Sequence, residues 1–301
     1  MTVDAVLIAG PTASGKSQAA LALARAVGGV VINADSMQIY REAPILTAMP
    51  SDVDRAAAPH LLYGHASVKE PYSTGRYRED AQHALAEVRA SSRVPIFAGG
   101  TGLYFSALTE GIADIPQIPS EIRTRVRAHL EKIGVAALHA QLARRDSETA
   151  ARLRPSDPQR VLRAFEVFEA TGKPLAHWQG AGGKAILGGL RLARFVIDVP
   201  RPELRARIEE RFKAMFFNGA LREAAALKGL DPALPAAKIL GLRELWAVQE
   251  GKLSEAEAIE RAVTVTRQYA KRQSTWFRNR MADWDRLDSN GAADIISRVA
   301  V

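Results

Sequence analysis

The chain has 301 residues, 47% of them hydrophobic, and 41 Lys and Arg against 33 Asp and Glu give a formal charge of +8. That length can bury one large core or two domains, and no apolar run reaches the length of a membrane span, so a membrane role is excluded. The absence of cysteine excludes a disulfide framework and cysteine-ligated zinc. A basic balance of this size favours a polyanionic partner, and Asp4 ahead of a short apolar run does not read as a secretory signal, so a reducing cytoplasm is the expected compartment.

The apolar run Val6 to Ala9 predicts a strand that delivers Gly10-Pro11-Thr12-Ala13-Ser14-Gly15-Lys16-Ser17, and Gln18 to Arg25 continues as a helix. This is a phosphate-binding loop in the strand-loop-helix context such a loop requires. Gly10 and Gly15 let backbone N–H groups turn inward, Lys16 carries a point charge to the phosphates, and the Ser17 hydroxyl can ligate Mg²⁺. Val30 to Asp35 predicts a second strand, Ala81 to Ser91 a helix, and Val94 to Ala98 a third strand running into Gly99-Gly100. Alternating strands and helices predict a parallel α/β sheet, here a P-loop-type core flanked by helices, spanning 1–115 in its first part.

After Gly111 the texture changes. Ile115-Pro116-Gln117-Ile118-Pro119 reads as a linker, and Ser120 as the cap of a helix from Glu121 to about Lys132, opening an all-helical insert over 116–190. Asp157 as cap, Pro158 at the first helical position and Gly172 as terminator frame another helix, and the glycine-rich Gly180 to Gly189 reads as a flexible exit. The core resumes over 191–301. Arg194 to Val199 predicts a strand, and Leu204, Ile208, Phe212, Met215 and Phe216 mark one face of a helix. From Arg261 through Arg280 there are six basic residues and no acidic ones. At helical spacing Arg267, Lys271 and Arg278 form one stripe, and Tyr269, Arg272 and Trp276 another, the two rings being expected in the core. The six histidines show no metal-ligand spacing.

The loop's usual ligand is a nucleoside triphosphate, but there is no Asn-Lys-x-Asp, and the strand ending at Ala98 meets Gly99-Gly100-Thr101 instead of an acidic residue. The carboxylate stands at the end of the second strand, in Asp35-Ser36-Met37-Gln38-Ile39-Tyr40. At that edge of a parallel sheet Asp35 can be a base, a metal organiser or a helix cap.

Taken together, these blocks resemble the tRNA dimethylallyltransferase family. Its pattern is matched by the loop at 10–17, by Asp35 to Tyr40, by Gly99-Gly100-Thr101-Gly102-Leu103-Tyr104 and by Asp157-Pro158-Gln159-Arg160-Val161-Leu162-Arg163-Ala164. Gly241-Leu242-Arg243-Glu244-Leu245, Thr266 to Gln273 and Thr275-Trp276-Phe277-Arg278 extend the likeness. Two stretches depart. Ile45-Leu46-Thr47-Ala48-Met49-Pro50 lacks the glycine and lysine of the family's Ile-Gly-Thr-Ala-Lys-Pro, and Leu61-Leu62-Tyr63-Gly64 lacks an aspartate.

The resemblance implies transfer of a dimethylallyl group from its diphosphate to the exocyclic amine of the adenosine 3′ of a tRNA anticodon, with diphosphate released, Mg²⁺ as cofactor and a monomeric enzyme. It implies Asp35 as general base, Thr101 beside it, Lys16 on the leaving group, and residues 10–17 on the diphosphate. The aspartate-rich motifs of other prenyl synthases are absent, leaving the loop as the evident diphosphate holder. For the tRNA anticodon stem-loop, expected contacts are Asp35, Ser36, Met37, Gln38 and Thr101 near the reacting base. Arg123, Gln159, Arg160, Val161, Leu162 and Arg163 are expected in the insert, and Arg243, Lys271 and Arg278 towards the end. An adenylate isopentenyltransferase using a free nucleotide shares the loop, Asp35 and Thr101 without needing the basic insert. A P-loop small-molecule kinase, with Asp35 acting on a hydroxyl, is a second alternative, and a non-enzymatic RNA-binding NTPase switch, which leaves Asp35 and Thr101 idle, a third.

Overall fold

The computed structural model describes residues 3–180 and 182–299, and the chain divides into two compact units, 3–109 with 186–299 and Glu110–Ala185. In the first unit six strands, all parallel, line up in the order β3-β2-β4-β1-β5-β6: β1 Ala5–Ala9, β2 Val30–Asn33, β3 His60–Leu61, β4 Pro95–Gly99, β5 Leu192–Ile197 and β6 Asp285–Leu287. Alternate side chains of the inner strands enter two separate cores. Ala5, Leu7, Ala9, Ile32 and Phe97 face one, and Val6, Ile8, Val31, Ile96 and Ala98 face the other. Both faces of the sheet are therefore buried, as parallel sheets require.

Helices α1 (Lys16–Val27), α2 (Asp52–Ala57), α3 (Thr74–Ala90) and α4 (Gly102–Thr109) belong to the first half of this unit. Helix α3 begins well ahead of the predicted Ala81. Ser73 caps it by accepting from the Arg76 N–H, and its polar first turns hide one buried ring, Tyr77, which stacks on Tyr104 at 3.6 Å and donates to the Asn33 carbonyl. The second strand stops two residues short of Asp35. The buried Asn33 side chain accepts from the Asp35 N–H at 2.8 Å and donates to the Asp35 and Leu62 carbonyls, replacing ladder bonds with a local turn.

The helical unit holds α5 (Ser120–Ile133), α6 (Val135–Arg145), α7 (Ser147–Arg152), α8 (Pro158–Thr171) and α9 (Leu175–Gly180) around a core that includes Leu138, Leu142, Val161, Phe165 and Val167. Its limits fall earlier than 116 and 190 because Ile115 and Ile118 join this core, while Ile186, Leu187 and Leu190 join that of the first unit. Asp157 caps α8, Pro158 opens it and Gly172, in the left-handed region, closes it. Ser120 is not a cap: it lies inside α5 behind Pro119, and its hydroxyl donates to Glu121. The glycine-rich exit is anchored beyond Ala185, where Leu187 is buried and its N–H donates to the Leu108 carbonyl at 2.8 Å.

The first unit resumes with β5 and α10 (Arg201–Met215), whose Leu204, Ile208 and Phe212 are buried, followed by a π-type turn over Phe216–Ala220. Helices α11 (Leu221–Ala226), α12 (Leu242–Gln249), α13 (Glu255–Arg280) and α14 (Ala292–Val299) complete the unit.

Candidate active site

In the sheet order, β2, β4 and β1 are neighbours, so the segments leaving their C-terminal ends meet although they stand far apart in sequence. These segments are Asp35-Ser36, Gly100-Thr101 and the loop 10–17, in the crevice where open α/β sheets bind ligands. The loop turns through positive φ at Ala13 and Gly15 and hands over to α1 at Lys16. No acidic side chain occupies the first turn of α1 and none caps it, which leaves its N–H groups for an anion. Ser14 is fully buried, and its hydroxyl has no hydrogen-bond partner among the described residues.

A cavity of about 390 Å³ lies over this loop, lined also by Asp35, Gln38, Thr47, Ala48, Arg207 and Arg211. Three cations, Lys16, Arg207 and Arg211, thus face one carboxylate. Lys16 is 7% exposed and donates to the Pro11 carbonyl at 3.3 Å. Burial lowers its pKa to about 8, with Asp35 pulling it up and Arg211 pushing it down. The Arg211 guanidinium donates to the Thr12 hydroxyl, and Arg207 pairs with Glu203 at 2.6 Å. Neither arginine belongs to a sequence motif: two arginines one turn apart on α10 have the spacing of an ordinary solvated face. Ser17 is exposed and lines the same cavity.

Asp35 is 8% exposed. Its Oδ1 accepts from the Met37 N–H at 3.0 Å and closes a turn; no helix follows, so the helix-cap alternative falls away. Its Oδ2 faces Gly100, 3.0 Å from where a Cβ would stand. Thr101 Oγ1 accepts from the Ser36 N–H at 2.9 Å and donates to Ser36 Oγ at 3.1 Å. Burial raises the Tyr269 pKa. A second, narrow cavity of about 40 Å³ adjoins the first through Thr12, Asp35, Thr47 and Arg211, and its walls are mainly apolar, with Met37, Leu46, Ile208, Phe212, Met215 and Ile239.

The divergent stretch at 45–50 is held from two sides. Glu223 of α11 accepts from the Ile45 and Leu46 N–H groups at 2.9 and 2.7 Å, and Gln38 donates to the Thr47 and Ala48 carbonyls at 3.1 and 2.6 Å. Burial raises the Glu223 pKa against those two backbone bonds.

Against known families, the IPP transferase family model matches residues 38–280 and the isopentenyl transferase model residues 3–54. The tRNA dimethylallyltransferase of Sinorhizobium medicae (strain WSM419) is 48% identical over 290 residues, covering 95% of both chains. That of Azorhizobium caulinodans is 50% identical over 294 residues, covering 96% of this chain and 94% of its own. The chain belongs to the tRNA dimethylallyltransferase family. Among solved structures of similar fold, the full-length tRNA isopentenylpyrophosphate transferase of Bacillus halodurans has a TM-score of 0.69 at 30% identity, covering 99% of this chain and 96% of that one. A eukaryotic dimethylallyltransferase acting on tRNA has a TM-score of 0.79 at 28% identity, covering 95% and 73%.

The family resemblance named further residues, and the structure divides them. Gln159 and Arg160 are exposed on the first turn of α8, where Arg160 stands 3.4 Å from Asp157. Arg163 is half-buried, and burial lowers its pKa against the pull of Glu166. Arg123 Nε is buried without a partner among the described residues. Val161 does not belong in a contact set: it is 0% exposed in the core of the helical unit, and Leu162 packs half-buried against the same core. In the first unit Arg243, Lys271 and Arg278 are exposed, whereas Arg267 is tied to Glu209 at 2.9 Å and drops out of the free stripe. Ser36 and Met37 are half-buried and Gln38 buried, its amide donors already used. Tyr269 is half-buried and lines the narrow cavity, and Trp276 packs over Gly102, where a Cβ would lie 2.1 Å from its ring. Neither ring is simply core.

Proposed function

We propose that this member of the family transfers a dimethylallyl group from dimethylallyl diphosphate to the exocyclic amine of the adenosine 3′ of a tRNA anticodon, releasing diphosphate. The observation that carries the reading is the joining of a cationic anion cradle to a small apolar recess, with Asp35 and Thr12 at the junction. In this reading the diphosphate lies in the loop 10–17 against the N–H groups at the start of α1, and the allylic group enters the recess.

The amine nitrogen attacks the allylic carbon, the C–O bond breaks and its electron pair leaves on the diphosphate. Negative charge grows on the leaving oxygens, so Lys16, Arg207, Arg211 and the α1 N-terminus stabilise the transition state more than the bound donor. Asp35 takes the proton that the nitrogen sheds as its new bond forms. Thr101, fixed by Ser36, stands beside that base.

The residues fit Mg²⁺. Ser17 supplies a hard oxygen in the phosphate cavity, and no group of three His, Asp, Glu or Cys occurs among the described residues, consistent with an ion that keeps waters and draws its other ligands from the substrate. When bound, the ion would neutralise charge on the departing diphosphate.

For the acceptor, the exposed Gln159 and Arg160 with Arg123 and Arg163 in the helical unit, and Arg243, Lys271 and Arg278 in the first, are the candidate contacts to the anticodon stem-loop. The base must leave its stack to reach Asp35, which costs a few kcal/mol and must be offset by such backbone contacts. No helix among the described residues is long and apolar enough to cross a membrane; a monomer in the cytoplasm suits the reading. The test is incubation with labelled dimethylallyl diphosphate and unmodified tRNA, AMP or ATP. Label in tRNA with diphosphate release is the expected result, and label in a free nucleotide alone refutes the acceptor.

A further inference from the structure

Gln273 belongs to α13 and is 5% exposed. Its side-chain amide joins the ends of two strands. Oε1 accepts from the Thr12 N–H at 2.9 Å, and Nε2 donates to the Gly100 carbonyl at 2.8 Å. Only one orientation of the amide satisfies both partners, so the group is specified in rotation as well as position.

On one side of this bridge the Thr12 hydroxyl accepts from Arg211, in the diphosphate cavity. On the other side Gly100 runs into Thr101, which is tied to Ser36, the residue after Asp35. The fit is close: a Cβ at Gly100 would lie 2.2 Å from Gln273 Nε2 and 3.0 Å from Asp35 Oδ2. A backbone N–H within a phosphate loop would ordinarily be available to the anion, yet that of Thr12 is given to Gln273.

We propose that Gln273 is a positioning residue, fixing the donor-holding loop against the end of β4, whose Thr101 is tied to Ser36 beside the base, so that the allylic carbon and the acceptor amine meet in line. This inference rests on the prenyl-transfer reading. Reactions that depend on such alignment lose rate steeply with small displacements, about 100-fold for about 1 Å. The effect therefore belongs in the chemical step and not in the affinity of either substrate.

The experiment is single-turnover prenyl transfer at saturating donor and tRNA by wild type, Gln273→Met and Gln273→Glu, with donor KM, tRNA affinity and circular dichroism measured alongside. Gln273→Met keeps the length and removes both bonds; its rate should fall about 10- to 100-fold while donor KM and tRNA affinity stay within about threefold. Gln273→Glu keeps the acceptor for Thr12 and turns a carboxylate oxygen on the Gly100 carbonyl. Its rate relative to wild type should be low at neutral pH and recover as the pH is lowered and a protonated carboxyl again donates there. Wild-type rate in either folded variant, a loss confined to KM or affinity, or a Glu-to-wild-type ratio independent of pH would overturn the proposal. Failure of the wild type itself to prenylate tRNA would refute the underlying reading instead.

Discussion

Lys16 and Asp35 line the same cavity, and Lys16 sets a pH limit on donor binding. Lys16 is cationic below its lowered pKa of about 8 and loses its charge above it, so kcat/KM for the donor should fall as the pH rises through about 8. A bound diphosphate favours the charged form and moves the corresponding limb of kcat to higher pH. Lys16→Arg, whose charge persists, should abolish the limb; its survival in that variant would assign it elsewhere. Asp35→Asn should lower kcat by about 10² to 10⁴ fold with tRNA affinity little changed, and rapid-quench kinetics beside a filter-binding assay would show it. Such residues are legible because their chemistry is tied to a loop motif or a strand end. Arg211 and Gln273 are not: an arginine on an amphipathic helix and a glutamine among basic residues acquire roles only once the sheet order brings α10 and α13 to the loop.

Among the elements, α8 shows what local signals can specify. Asp157, Pro158 and Gly172 frame it because capping and termination depend on adjacent residues alone. Asp157→Ala should destabilise the protein by about 1 kcal/mol, seen as a lower chemical-denaturation midpoint. On the proposed reading, stability and recognition rest on different residues of this helix. Val161→Ala should lower stability by roughly 1 to 2 kcal/mol through lost burial without changing the salt dependence of tRNA binding. Arg160→Ala, Lys271→Ala and Arg278→Ala should each leave stability nearly unchanged and flatten the slope of log K against log salt by about one or somewhat less. A slope altered by Val161→Ala and not by these three variants would reverse the assignment. Less legible is the start of α3, whose exposed polar turns conceal Tyr77, and the cap at Ser120, where Pro119 had already set the entry to the helix.

At the scale of the molecule, periodicity and turn residues predict a parallel α/β core with a helical insert, but pairing order is a long-range property. The two-residue β3 and the three-residue β6 are too short to carry a pattern, and nothing local places β4 between β1 and β2. That placement is what brings Thr101 between Asp35 and the loop. The insert's limits likewise follow from which core each isoleucine joins, not from the proline-rich linker that marked them in the sequence.

The bond from the Leu187 N–H to the Leu108 carbonyl has a consequence for how the chain can be taken apart. From the side of the sheet, everything between those two leucines is an excursion that leaves and returns at one point, so the core sees no more than a closed turn. The excursion is thus a detachable module: joining Thr109 to Ile186 through a few glycines should leave a protein that melts cooperatively and retains donor affinity by calorimetry while tRNA affinity collapses. By the same geometry, a different domain whose ends lie close together should be accepted at that point without rebuilding the sheet.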